Sequence, residues 1–232
     1  MRVAIMQPYF LPYAGYYQLI ASVDLFVVYD NIKYTKKGWI NRNRLLQNGT
    51  DAMFTLPLSK DSDSLDIRDR KLIDNFDKEK FLRKFEGAYK QAQYFEQTFD
   101  LLRQVVYFPK DNLFDFIHNS LVETCRHLYI DTKIIVSSEI DINHQLHAQD
   151  KVIALCNALG AKEYINAIGG IDLYSRERFQ EDGIQLRFIQ PRVREYAQNS
   201  NAHISSLSIV DMMMFSPIEI VVDCINADFE LI

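Results

Sequence analysis

The chain of 232 residues is poor in glycine and proline, with eight and six respectively, which excludes a long flexible linker or a low-complexity tract. Its three cysteines, Cys125, Cys156 and Cys224, stand far apart. An odd count without ligand spacing argues against a disulfide framework and for buried thiols in a reducing compartment. The five histidines (His118, His127, His144, His147 and His203) are scattered, so no metal site is expected. Excess basic charge is also missing. A net charge of −5 gives no global reason to bind nucleic acid or an anionic membrane. The opening MRVAIMQPYFLPYAGYYQLI is apolar but is interrupted by Gln7, Pro8 and Pro12, and no basic segment precedes it. It therefore reads as neither a secretory signal nor a membrane span, and a cytoplasmic protein without membrane insertion is expected. No Walker loop, Gly-x-Ser-x-Gly or Gly-x-Gly-x-x-Gly motif occurs.

What is present is an ordinary globular composition, 48% hydrophobic and 25% charged. Arg2 to Met6 predicts a buried strand, and the two prolines after it predict an extended loop. Tyr13 to Val23 has helical spacing, with Tyr16, Leu19, Ile20 and Val23 on one face, and Leu25 to Tyr29 predicts a second strand. That is a βαβ unit, so Val3–Met6 and Leu25–Tyr29 should be adjacent and parallel. Trp39–Leu46 and Ala52–Leu58 predict a hairpin turning at Asn48-Gly49. Helical periodicity dominates from about residue 74 to 128. Beyond it, Lys133–Ser137, Glu163–Ala167 and Ile184–Ile189 read as strands. His147–Leu159, Ser175–Glu181 and Ile204–Phe215 read as helices, and Glu219–Ile225 as helix or strand. The alternation predicts an α/β fold with a doubly wound, mainly parallel sheet of Rossmann or nucleotidyltransferase type. A single domain over 1–232 is expected, with 74–128 as a helical insertion or layer.

In such sheets ligands bind beyond the carboxyl ends of the strands, so the loop from Gln7 to Tyr16 is the first place to search. Gly15 would permit close backbone approach at the first turn of a helix, where free N–H groups attract phosphate. The alternative is that Tyr13 and Tyr16 are simply packed aromatics. A local basic cluster follows in an otherwise acidic chain: Lys33, Lys36, Lys37, Arg42 and Arg44, interleaved with Tyr34, Trp39, Asn41 and Asn43. On a strand, Arg42 and Arg44 share one face and could grip a phosphate or carboxylate, with Trp39 stacking on a ring. A solvated basic edge strand is the alternative. Ser205 and Ser206 could cap a late helix, hold an anion at its start, or both. Asp211 would fall in that helix's first turn as a dipole-favoured carboxylate or general base. Gly169-Gly170, with Tyr164, Asn166 and Tyr174, could wall a pocket or form a plain turn. Tyr196 and Gln198 could join that wall.

Two resemblances bear on these residues. Tyr13-Ala14-Gly15-Tyr16 resembles the position of the His-x-Gly-His motif of nucleotidyltransferase-like folds, and Ile204-Ser205-Ser206 their late Ile-Ser-Ser/Thr motif. Both histidines are tyrosine here, which lacks positive charge at neutral pH. The Gln-Pro opening, DLFVVYDNIKYTKKGWINRNRL, YINAIGGIDLYSRERFQEDGIQLRF and LSIVDMMMF resemble the WbqC-like family along essentially the whole chain. A departure is Ser216-Pro217, where an Asn/Gly-rich turn is expected. That resemblance implies a place among bacterial O-antigen and surface-polysaccharide genes, and an enzyme that adds an aminoacyl or acyl group to a nucleotide-linked amino sugar. The substrate would be that sugar nucleotide or another small phosphorylated molecule, with ATP or another nucleotide activating the carboxyl. Gln7, Tyr13, Gly15, Tyr16, Trp39, Asn41, Ser205 and Ser206 would bind substrate and phosphate. Lys36, Arg42, Arg44 and Asp211 would act in catalysis. A non-catalytic sugar-nucleotide or carbohydrate-binding protein on a decayed scaffold is the alternative, supported by loss of both motif histidines.

Overall fold

A computed structural model of the chain describes residues 1–199 and 202–232. Its main sheet holds β1 (Arg2–Met6), β2 (Leu25–Val28), β5 (Lys133–Val136), β6 (Glu163–Ala167), β7 (Gln185–Pro191) and β8 (Phe229–Leu231). The spatial order is β5-β2-β1-β6-β7-β8. All neighbours are parallel except β7 and β8. Counted within the sheet this is the order 3-2-1-4-5-6, that of Rossmann-type doubly wound sheets. The expected pairing of the first two strands is present, with Val3 opposite Leu25 and Met6 opposite Val28.

Both faces of the sheet are covered, and the residue alternation shows how. Val3 and Ile5 of β1 and Leu25 and Val27 of β2 join a core with α5 (Ala148–Ala158) and α6 (Arg176–Glu181). Ala4, Phe26 and Val28 point the other way, into a larger core with α1 (Ala14–Ala21) and α8 (Ile218–Ala227). Strands that lose water on both faces have no reason to alternate apolar with polar, which is why they read as continuous apolar runs. The helical stretch forms α2 (Lys78–Tyr89), α3 (Phe95–Val106) and α4 (Leu113–His127), and its apolar faces belong to that same larger core. Asp77 and Asn112 cap α2 and α4 by accepting from backbone N–H groups. Helix α1 is enclosed on all sides from Gly15 to Ile20, which accounts for its nearly unbroken apolar sequence.

The predicted hairpin forms a separate two-stranded sheet, β3 (Arg42–Gln47) and β4 (Thr50–Thr55). Asn48 and Gly49 take φ of 52° and 76°, as a tight turn compatible with the strand twist requires. The late helix differs from expectation. It is α7, Ile209–Phe215, and its cap is Ser208, which accepts from the Val210 N–H. Ser205 and Ser206 therefore lie in the preceding loop and do not cap the helix. The segment after Ser216-Pro217 is helix α8, and the antiparallel edge strand β8 was not anticipated.

Candidate functional site

Two concavities open at the carboxyl edge of the sheet, on either side of the proline loop. The loop is rigidly held. Phe10 and Leu11 are fully buried, Phe10 N–H donates to the Ile40 carbonyl, and Leu11 takes a left-handed φ of 44°. Such a conformation costs a leucine free energy and persists only because its surroundings enforce it. The enforcing bonds come from the far end of the chain. Ser208 Oγ donates to the Leu11 carbonyl at 2.7 Å, and Ile209 N–H to the Pro12 carbonyl at 2.8 Å. The hairpin is tied in as well, because Ser208 N–H donates to the Arg44 carbonyl at 2.9 Å. The Arg44 guanidinium donates to the Ser206 carbonyl at 3.1 Å and the Ser205 carbonyl at 3.5 Å. Its other contacts are Asp51 at 3.2 Å and the Trp39 ring, 5.9 Å from the centroid.

This stitching places the start of α1 opposite the serine loop. A pocket of about 80 Å³ lies between them, lined by Tyr13, Gly15, Gln18, Arg192, Arg194, Tyr196, His203, Ser205 and Ser206. At roughly 30 Å³ per liquid water, its room is that of a few waters or one phosphate-sized group. Gly15 is required by close packing: a Cβ there would stand 2.3 Å from the Tyr13 ring and 2.8 Å from Pro191. Ser206 carries a left-handed φ of 57°. Strain thus appears in both loops that meet here.

One of the lining residues, Gln18, is buried with an unfilled hydrogen-bonding requirement. Gln18 is 1% exposed, and its Nε2 donates to the carbonyls of Cys224 and Asp228, both at 3.0 Å. Two acceptors at that nitrogen fix the amide's orientation, so Oε1 is committed as an acceptor, and it has no partner among the described residues. His203 Nε2 is likewise buried without a partner among the described residues, while its ring meets Tyr196 edge to face, 4.9 Å between centroids. Around the rim, Arg194 is ion-paired with Asp223 and Asp228, and Arg192 with Glu230 at 3.2 Å. The pocket therefore carries ion-paired arginines at its rim. Sequence reading missed Gln18, Arg192, Arg194 and His203. Only the topology brings them together, and no local pattern marks them.

The other expected site residues are placed as follows. Tyr16 is buried and donates to the Gln7 carbonyl at 2.7 Å; burial pushes its pKa well up, and it is a core aromatic. Asn41 is buried between the Tyr34 hydroxyl and the Leu56 carbonyl, because period two turns it into the core while Arg42 and Arg44 face outward. Arg42 Nε donates to the Gly38 carbonyl, and Lys36 pairs with Asp63 at 2.7 Å where both are exposed. Trp39 is 42% exposed. Gln7, Lys36, Arg42 and Arg44 do not line the pocket at Gly15. The expectation that one pocket gathers Gln7, Gly15, Lys36, Arg42 and Arg44 is corrected in this respect: Arg44 reaches the serine loop's carbonyls, and Gln7 faces the other concavity.

Asp211 is fully buried. It accepts from the Tyr89 hydroxyl at 2.8 Å, the Tyr196 hydroxyl at 2.7 Å and Gln198 Nε2 at 2.6 Å. Burial raises its pKa and outweighs the three donors, which act to lower it. Its place is under the pocket, where it holds Tyr196 in the wall; both its oxygens are occupied.

The second concavity, about 370 Å³, sits where strand order reverses between β1 and β6, the switch point of this fold. The β1–β6 ladder pairs only Arg2 with Glu163 and Val3 with Tyr164, so the two strands part toward their carboxyl ends. Gln7, Tyr9, Tyr29, Asn166, Gly169, Gly170 and Tyr174 are among its walls.

Among the described residues, no helix is long and apolar enough to cross a membrane. The WbqC-like protein family matches residues 7–222. The Mycobacterium tuberculosis protein Rv1507c, described as uncharacterized, is 28% identical over 216 residues, covering 91% of this chain and 92% of that protein. No solved structure matches the chain significantly.

Proposed function

We propose, from the premise that the chain belongs to the WbqC-like protein family, that it is a cytoplasmic transferase of bacterial surface-polysaccharide assembly. It passes an aminoacyl or acyl group to a nucleotide-linked amino sugar. The observation that carries this reading is the convergence of Tyr13–Gly15 and Ser205–Ser206 on one phosphate-sized pocket. An anionic group is favoured at the start of α1, where the first N–H groups have no helical acceptor. Ser205 and Ser206 add hydroxyl donors. Arg44, one of the basic residues singled out in the sequence, holds the loop that carries them.

Acyl transfer to an amine requires removal of a proton as the carbon–nitrogen bond forms. His203 is the imidazole of the pocket and takes that role in this scheme. Asp211 does not, because three donors enclose it. Charge developing on the leaving group faces Arg192 and Arg194. Those arginines are partly neutralised by Glu230, Asp223 and Asp228. That neutralisation, together with tyrosine at both motif positions, favours the second reading, a non-catalytic sugar-nucleotide-binding protein.

Titration with a panel of nucleotides and sugar nucleotides tests binding. Pyrophosphate release from ATP in the presence of amino acids tests catalysis. Binding with release supports the transferase, and binding without release in any combination supports the second reading. Absence of nucleotide binding refutes both.

A further inference from the structure

The crevice at the switch point has a different chemistry from the pocket at Gly15. Its described lining residues include no Asp, Glu, Lys, Arg or His. An anion held there would lose its hydration without a compensating charge, which is unfavourable. What the crevice offers is tyrosine, amide and aliphatic surface, the last from Ile5, Met6, Ile32 and Leu173. Tyr9, Tyr29 and Tyr174 present rings with polar tips, and Gln7 and Asn166 contribute side-chain amides. An amide both donates and accepts, as a hydroxyl does, whereas a ring face suits the C–H surface of a saturated ring. The volume, about 370 Å³, falls at the lower end of the roughly 300–1,000 Å³ range of small-molecule sites.

The crevice is also built with care. Asn166 is 5% exposed at the end of β6, and its Oδ1 accepts from the Ala167 N–H at 2.9 Å. That bond turns Nδ2 away from the strand. A Cβ at Gly170 would stand 2.4 Å from Asn166 Nδ2, so glycine at that position lets the amide lie against the turn. Tyr29 is backed by Lys151, whose Nζ lies 5.1 Å from the ring centroid and donates to the Asn31 carbonyl at 3.1 Å. Lys151 is itself 5% exposed, and the Asn31 side chain next to it is bonded to Ser137 and His144. The walls are therefore preorganised, which lowers the entropy cost of binding.

We infer that this crevice is a second binding site, specific for an uncharged, hydroxyl-bearing ring of the monosaccharide class. The inference deepens the sugar-nucleotide reading and rests on it for the choice of sugar over other polyols. The two sites are read separately by experiment. The isotopically labelled full chain is titrated with free hexoses and 2-acetamido-hexoses to roughly 100 mM, and in parallel with inorganic phosphate and uridine diphosphate, while amide resonances are followed. Sugars should shift resonances around Asn166, Gly169 and Gly170, and the anions those around Gly15 and Ser205. Gly169→Phe should fill the crevice. A Cβ at Gly169 meets no atom within 4 Å and its φ is not left-handed, so the substitution is compatible with the backbone. A loss of sugar affinity of at least about tenfold is expected, with phosphate affinity unchanged. Gln7→Leu, which removes one amide without touching the Gly169-Gly170 turn, should weaken sugar binding in the same direction and serves if Gly169→Phe does not fold.

Sugar binding at the crevice without any anion binding leaves this inference standing and removes the nucleotide reading. The inference is overturned if no sugar binds, if sugars map elsewhere, if both variants bind sugar as the parent does, or if inorganic phosphate maps to the crevice.

Discussion

The Ser208 hydroxyl donates to the Leu11 carbonyl at 2.7 Å, joining segments 197 residues apart. The same oxygen accepts from Val210 N–H at 3.3 Å and so caps α7. One side chain thus fixes the strained proline loop and starts the helix beneath the pocket. Ser205 and Ser206, only three and two residues earlier, are exposed and make no cap. Helix capping and pocket lining thus fall to different serines of one short segment.

Ser208→Ala should cost about 1–2 kcal/mol, since it removes a cap and a buried hydrogen bond together. Ser205→Ala with Ser206→Ala should change stability by less than about 0.5 kcal/mol, as exposed positions do. It should nevertheless weaken binding of whichever nucleotide or sugar nucleotide the parent protein takes. Denaturant unfolding of both variants beside ligand titration separates the two effects. Equal destabilisation by the two variants would return Ser205 and Ser206 to a structural role.

Gly15→Ala tests the proline-loop side of the same pocket. The added methyl would collide with the Tyr13 ring at 2.3 Å and with Pro191 at 2.8 Å. The tyrosine ring is the more mobile neighbour and should swing, carrying its bulk toward the pocket it lines. A loss of about 1–3 kcal/mol is expected from overpacking. Phosphate affinity, measured well below the melting temperature, should fall further than the change in folded fraction explains. If affinity is retained, the Tyr13 ring does not border the bound group.

How far the sequence foretold this arrangement depends on the range of the interactions that decide each element. Strands such as Leu25–Val28 were legible because burial on both faces writes an apolar run into the local sequence. The hairpin turn was legible because Asn48-Gly49 must take positive φ. The capping serine was not, because Ser205, Ser206 and Ser208 carry the same local signal. The choice of Ser208 is made by the carbonyls of Leu11 and Arg44, far away in sequence. Asn41 was read as a possible ligand contact for a similar reason: the buried Tyr34 hydroxyl that occupies it is visible only once the loop has folded. Strand β8 has three residues and forms through pairing with β7 some forty residues earlier, so no local pattern could announce it.

Asp211 supplies a test with a definite sign in pH. Its carboxylate is enclosed by the Tyr89 and Tyr196 hydroxyls and Gln198 Nε2, yet burial holds its pKa above the ordinary carboxylate value. A folded-state pKa above that of the unfolded chain means that the native state binds the proton more tightly. The group's contribution to stability is then complete below the unfolded pKa of about 4 and is lost as pH rises through the folded value. Asp211→Asn does not titrate at this site, so the stability of the parent relative to that variant should fall as pH is raised from about 4 to about 7. A difference that grows with pH would show that the three hydrogen bonds outweigh desolvation. Asp211→Ala should be worse than Asp211→Asn at every pH, by about 1–3 kcal/mol, because it strands three buried donors together. It should also release Tyr196 into the pocket and loosen the Gln198–Ile204 contact that shapes the serine loop. Loss of nucleotide affinity in the alanine variant, with partial retention in the asparagine variant, identifies Asp211 as a positioning residue. A catalytic base would show the reverse pattern, with binding retained in both variants and turnover lost in both.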